Sequence, residues 1–241
     1  MRLILLTLAL FGTGHAALAD EIDQTYGFYV AGLKAGTIHI TGTVPKSGTQ
    51  SGYVLEGTLS PTSIMRRFHD IRFDGRVDGR VTPDGTLHPA RYKGFSRSDK
   101  KESEVQLVYD AGRPQVVRYA PERAPQPFDI IPAKQNGALD PLSAAYLLFQ
   151  DQPLDRLCDR SFSLFDGRRL SRLEVGAPDV TATEALCEGR YTRVAGFSPE
   201  EIEEQVTFPF TLVYTKGDAD VYSLSFFKTD TTFGPAEAAR K

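Results

Sequence analysis

Alternation of apolar and polar residues with period two runs through most of this 241-residue chain, and it restricts the fold more than any other feature. In Ile71–Val81 (IRFDGRVDGRV), Ile71, Phe73, Val77 and Val81 share one face, while Arg72, Asp74, Arg76, Asp78 and Arg80 share the other. Such a segment buries one face of a pleated strand and leaves the other in water. Short turns separate similar runs. Tyr26–Val30 and Thr37–Thr41 flank AGLKAG, Val105–Tyr109 and Gln115–Tyr119 bracket DAGRP, and Ser161–Phe165 and Leu170–Glu174 bracket Asp166-Gly167. Ten to twelve strands joined by hairpins predict a mainly β, antiparallel fold of sandwich or barrel type.

Gly32 and Gly36 do not make a phosphate cradle, because no helix pattern follows to supply aligned amides. Towards the end, Val206, Phe208, Phe210, Leu212 and Tyr214 line one face, and KGD then turns the chain into Val221–Lys228. Pro209 cannot donate to a ladder, so this strand is expected at a sheet edge or with a bulge. The tail 234–241 (GPAEAARK) is expected to be disordered.

Two segments break the rhythm. Residues 120–138 carry Pro121, Pro125, Pro127 and Pro132 and predict a stiff strap within one domain, pinned by Phe128, Ile130 and Ile131. GALDPLSAAYLLFQD (137–151) predicts a helix over about 141–150. Asp140 is a good N-cap and Pro141 fits the first helical position. Leu142, Ala145, Tyr146 and Phe149 form a stripe, and Leu147 and Leu148 extend it. A helix with so little polar surface is buried on most sides. The expected fold is therefore an antiparallel sheet curled into an open or incomplete barrel around one short buried helix, with the strap across one end. Ser143 lies in the first turn without the strand–turn–helix setting of a nucleophilic serine, so its hydroxyl is expected to help cap free amides.

The first nineteen residues read as an export signal. Arg2, the apolar run Leu3–Phe11 and Ala17-Leu18-Ala19 before Asp20-Glu21 place cleavage after Ala19 and the product in the periplasm. Asp20, not a cysteine, directly follows that site, so no lipid anchor is expected, and no segment is long and apolar enough for an integral membrane span. Cleavage leaves 222 residues and removes one charge, Arg2, so the net charge moves from −3 to −4. That balance argues against nucleic acid as a partner. Cys158 and Cys187 are the two cysteines, and in an exported chain they predict one structural disulfide.

Chemistry is sparse. His39 lies on a polar strand face, His88 in a turn, and His69 shares the parity of Ile71 and Phe73. No metal-ligand spacing appears, and no cofactor or catalytic residue is expected. Glu200-Glu201 and Glu203-Glu204 read as a short exposed helical turn. Arg66, Arg67, Arg72, Arg76 and Arg80, with Arg91 and Arg97, offer either a positive patch for anionic lipid headgroups or glycans, or a solvated face with interleaved Asp.

YGFYVAGLKAGTIHI, LDPLSAAYLL, FSLFDGRRLSRLEV and CEGRYTRVAGF…FPFTLVY, in that order, resemble the exported proteins of Gram-negative bacteria grouped as domain of unknown function 3108. The resemblance implies the compartment and a β-rich, curled-sheet fold. It supplies no activity and no catalytic residues.

Three functions remain open. One is a non-enzymatic envelope protein binding a lipid or other hydrophobic ligand through Phe128, Tyr146, Phe149, Phe208, Phe210 and Tyr214. Another is an interaction module whose edge strand, the one holding Pro209, pairs with an envelope partner. The third is a hydrolase using His69 with Asp70 or Ser143.

Overall fold

The computed structural model describes residues 19–45, 50–67, 70–98, 101–231 and 234–241. The expected export signal up to residue 18 and His69 lie outside them.

Strands β1 (Ala19–Val30), β2 (Leu33–Pro45), β3 (Ser51–Pro61), β4 (Ile71–Val81), β5 (Leu87–Ser98), β6 (Lys101–Asp110) and β7 (Arg113–Ala120) form an antiparallel meander. Two of its hairpins are tighter than AGLKAG and DAGRP suggest. Ala31-Gly32 and Ala111-Gly112 are two-residue turns with φ of 49° and 76°, and 48° and 77°. These left-handed pairs match the twist of the strands they join. After the Pro-rich strap come helix α1 (Pro141–Phe149), the two-residue β8 (Gln152–Pro153), β9 (Arg160–Phe165) and β10 (Leu170–Val175). The two-residue β11 (Asp179–Val180), β12 (Glu184–Ala195), helix α2 (Pro199–Glu204), β13 (Thr207–Lys216), β14 (Val221–Thr231) and β15 (Gly234–Arg240) complete the order.

The main path of the sheet is β7-β6-β5-β4-β3-β2-β1-β15-β14-β13-β12-β10-β9. It is an antiparallel sheet nearly closed into a barrel, with one seam between β7 and β9. Residues 137–139 bridge that seam. Gly137 N donates to Gly112 O (2.9 Å), Leu139 N to Ser163 O (2.9 Å), and Phe165 N to Leu139 O (2.8 Å). The strap thus runs along the seam rather than across an end of the barrel. Ile130 packs on the core, whereas Ile131 is exposed.

Two expectations need correction. Residues 234–240 are not disordered: β15 pairs with β1 on one side and β14 on the other and turns Ala236 and Ala238 into the core. Main-chain bonding to two strands that would otherwise present bare edges holds this segment despite its small side chains. The strand with Pro209 is also not an edge, since β13 lies between β12 and β14. Pro209 is tolerated because the ladder to β14 begins one residue later, at Phe210, and the irregularity in that ladder falls at Val213/Tyr214.

Helix α1 lies inside the curl. The Asp140 carboxylate accepts from the backbone N–H groups of Leu142 and Ser143, both at 3.0 Å, and Pro141 occupies the first turn. Ala145 and Leu147 are half-buried, and the other side chains from Leu142 to Phe149 are buried. The sheet approaches closely because Gly57, Gly75 and Gly94 lie side by side across β3, β4 and β5. A Cβ on Gly57 would fall 2.5 Å from Leu142 Cδ1, so the missing side chain is where the helix docks. Cys158 and Cys187 are buried with Cα atoms 6.2 Å apart, at disulfide separation, and tie the turn before β9 to β12.

Candidate functional site: an aromatic cavity at one end of the barrel

The end of the barrel where β1 finishes and β4 begins opens into a cavity of about 610 Å³. Its walls come from distant parts of the chain. β1 contributes Phe28 and Val30, β13 Phe208 and Phe210, β14 Phe227, and β12 Tyr191. Leu148 of α1 forms the floor, and Phe197, from the turn between β12 and α2, closes one side. The rings support one another: Phe210 and Phe227 centroids are 5.8 Å apart, Tyr191 and Phe208 meet edge-on at 5.8 Å, and Phe149 lies 6.4 Å behind Phe227. The aromatic walls are therefore held by core packing, as a preformed apolar pocket requires.

The rim is polar and braced. Helix α2 begins with a capping box between Ser198 and Glu201. Arg169 reaches Glu201 at 2.7 Å, and Arg193 donates to Glu201 O and to Gln205 O (2.8 Å for the latter). Arg193 also lies over Phe208 at 4.9 Å and over Phe197 at 5.4 Å. These two arginines fasten α2 to the mouth of the cavity, a role that its four glutamates as a surface turn do not announce.

The six aromatic residues expected to form a ligand surface do not line one cavity. Phe208 and Phe210 line the cavity. Phe149 stands behind it, edge-on to Tyr26 at 4.8 Å. Tyr214 is fully buried, and its hydroxyl donates to Leu148 O at 2.8 Å, anchoring the helix C-terminus. Tyr146 faces a second cleft of about 730 Å³ near the opposite strand ends, whose walls include Asp84, Gln150, Asp155 and Arg160. Phe128 sits on the strap beneath Arg123, 5.7 Å away. Parity along the strands marks Phe28 and Phe208 as candidates for an inward face, whereas in β14 it runs from Tyr222 and Leu224 to Phe226, and Phe227 reaches the cavity because the ladder to β13 shifts register at Val213/Tyr214. Parity says nothing of which inward faces meet helix and which meet space.

Ser143 does not cap the helix. It is fully buried, and its Oγ lies 3.0 Å from the Tyr53 hydroxyl. Asp140 does the capping, and burial pushes its carboxyl up to about 6. Burial, and after it the same carboxyl, raises the phenols of Tyr53, Tyr92 and Tyr109. At the centre of this cluster Asp140 and Ser143 are fully buried. Asp70, the other proposed partner of His69, pairs with Arg97 at 3.0 Å.

The arginines of the expected patch also divide. Arg72 pairs with Asp74, Arg76 with Glu56, Arg91 with Asp78, and Arg97 with Asp70 and Glu102. The outer face of β4 is thus laced with ion pairs. Arg66 and Arg67 lie apart from it, in the exposed turn after β3.

A nearly closed antiparallel sheet with one seam and an open aromatic cavity defines a β-barrel-like protein. The chain belongs to the family described as Protein of unknown function (DUF3108), which matches residues 23–239. No curated protein matches it. A solved structure that is similar is the beta-barrel-like protein of domain of unknown function DUF1849 from Brucella abortus. It is 10% identical, with a TM-score of 0.46, over 94% of this chain and 98% of that one. No helix among the described residues is long and apolar enough to cross a membrane.

Proposed function

We propose that this chain is a non-enzymatic protein of the periplasm that binds a lipid or another hydrophobic ligand in the aromatic cavity. The observation that carries this is the cavity itself: about 610 Å³ of open space walled by Phe28, Phe197, Phe208, Phe210 and Phe227. Concave, mostly apolar walls with a few charged groups, here Arg169, Arg193 and Glu201, are the make-up of a site for a hydrophobic ligand. The Arg2, Leu3–Phe11 and Ala17-Leu18-Ala19 pattern and the cysteine pair at disulfide separation support an oxidising, exported setting.

Val30 is half-buried in the cavity wall, so Val30→Trp fills the space without cutting into the core. Titration of delipidated protein with the apolar dye N-phenyl-1-naphthylamine is expected to show saturable binding that Val30→Trp weakens at least tenfold, with thermal unfolding little changed. Absence of binding by the unaltered protein, or equal binding by the variant, sinks the proposal. N-terminal sequencing of the periplasmic fraction is expected to begin at Asp20.

A further inference from the structure

Beside the cavity mouth two short turns project together. Just after the β1–β2 turn β2 opens with Leu33, 70% exposed, and the turn after β3 carries Ile64, 72% exposed. They are fastened to each other: Thr62 N donates to Ala35 O at 2.8 Å, and the Thr62 hydroxyl donates to Lys34 O at 3.5 Å. The second turn is itself ordered by Met65 N donating to Thr62 Oγ1 and Arg66 N to Thr62 O. Both turns join directly to the cavity, since Val30 precedes the first and Met65 follows Ile64 in the second, and Val30 and Met65 line its wall.

Their charge is of one sign. Lys34, Arg66 and Arg67 are exposed, and neither Ala31–Ala35 nor Thr62–Arg67 contains an acidic residue. The ion-paired face of β4 behaves otherwise, and so does the cavity rim, where Arg169 meets Glu201. Two exposed branched aliphatic tips flanked by cations are the chemistry of a surface that meets anionic headgroups and pushes apolar atoms just below them. The acidic groups of the mouth are partly neutralised, Glu201 by Arg169 and Glu204 by Arg193, and at physiological salt screening over about 8 Å limits the reach of the others.

We propose that this end of the barrel docks on an anionic lipid bilayer, with Leu33 and Ile64 entering the headgroup boundary and Lys34, Arg66 and Arg67 contacting lipid phosphates. Docking there sets the cavity mouth against the membrane, so that an apolar ligand passes between bilayer and cavity without crossing water. The proposal rests on the cavity as a ligand site for its purpose, but not for its test.

Flotation with vesicles of phosphatidylcholine alone, and of equimolar phosphatidylglycerol and phosphatidylcholine, tests the surface directly. The unaltered protein is expected to float with the anionic vesicles at low salt, less so as salt is raised, and little with phosphatidylcholine. Arg66→Glu with Arg67→Glu is expected to cut partitioning more than tenfold, since each cation near such a surface is worth about fivefold. Leu33→Asp with Ile64→Asp is expected to cut it comparably at fixed salt. All four side chains are exposed, so near-normal folding is expected of both variants, with circular dichroism as the check. No flotation by the unaltered protein, equal flotation with both vesicle types, or full flotation by either variant overturns the proposal, the last of these pointing to a protein partner or another face. Dye binding in vesicle-free solution separates the two proposals. If it survives while flotation is absent, the cavity reading stands and the docking surface falls. If flotation follows the expected pattern and dye binding is absent, the reverse holds.

Discussion

Asp140 shows how one residue can be both required and costly. Its carboxylate organises the first turn of α1 by accepting two backbone N–H groups, yet it is fully buried, and its Oδ2 finds no hydrogen-bond partner among the described residues. Burial raises its folded-state value to about 6, against about 3.9 for an unfolded aspartate. The folded protein therefore holds the proton more tightly than the unfolded chain. Stability from this group is present below about pH 4 and is lost as pH rises through about 6, by roughly 2–3 kcal/mol. Asn caps helices equally well and cannot ionise, so Asp140→Asn is expected to gain on the native protein by about that amount between pH 4 and pH 7. Parallel urea-denaturation stabilities for the two proteins across that range count against this account. Ser143→Ala leaves the buried Tyr53 hydroxyl without its partner and is expected to cost about 1–3 kcal/mol, with dye binding unchanged.

Among the elements, α1 and the glycine row beneath it depend on each other. Leu142 packs where Gly57 and Gly75 have no side chains, and Tyr214 holds the far end of the helix through Leu148 O. Gly57→Ala pushes a methyl group into Leu142 and is expected to destabilise by about 1–3 kcal/mol, while Leu142→Ala opens a void worth about 2–5 kcal/mol. Because both substitutions act on one contact, the double variant is expected to lose less than the sum, as a double-mutant cycle in urea would show. The helix was legible in the sequence because its signals, Asp140-Pro141 and an apolar run, are local. The glycine row was not, since Gly57, Gly75 and Gly94 become neighbours only through register. The cysteine pair joins positions 29 residues apart. Replacing both by Ser is expected to lower stability by about 3 kcal/mol, measured by urea denaturation against the unreduced protein, with reduction of the parent giving a similar loss.

At the scale of the whole molecule, closure depends on β15. Ending the chain before Gly234 exposes the facing edges of β1 and β14 and removes Ala236 and Ala238 from the core. The truncated protein is expected to lose cooperative thermal unfolding and to aggregate, as judged by calorimetry and light scattering; a normal transition would show that the barrel does not need this strand. By itself the amino-acid sequence determined the strand-forming period, the hairpin positions, the capped helix, the cysteine pair and the family. Each of these is written in residue types at short spacing or in their order along the chain. Only the tertiary structure decided that a strand of small residues completes the sheet, that Tyr214 is core while Phe208 and Phe210 face a cavity, and that Leu33 and Ile64 project together. Burial depends on what lies opposite a face, and here the opposing groups arrive from strands as far apart in the chain as β1 and β14.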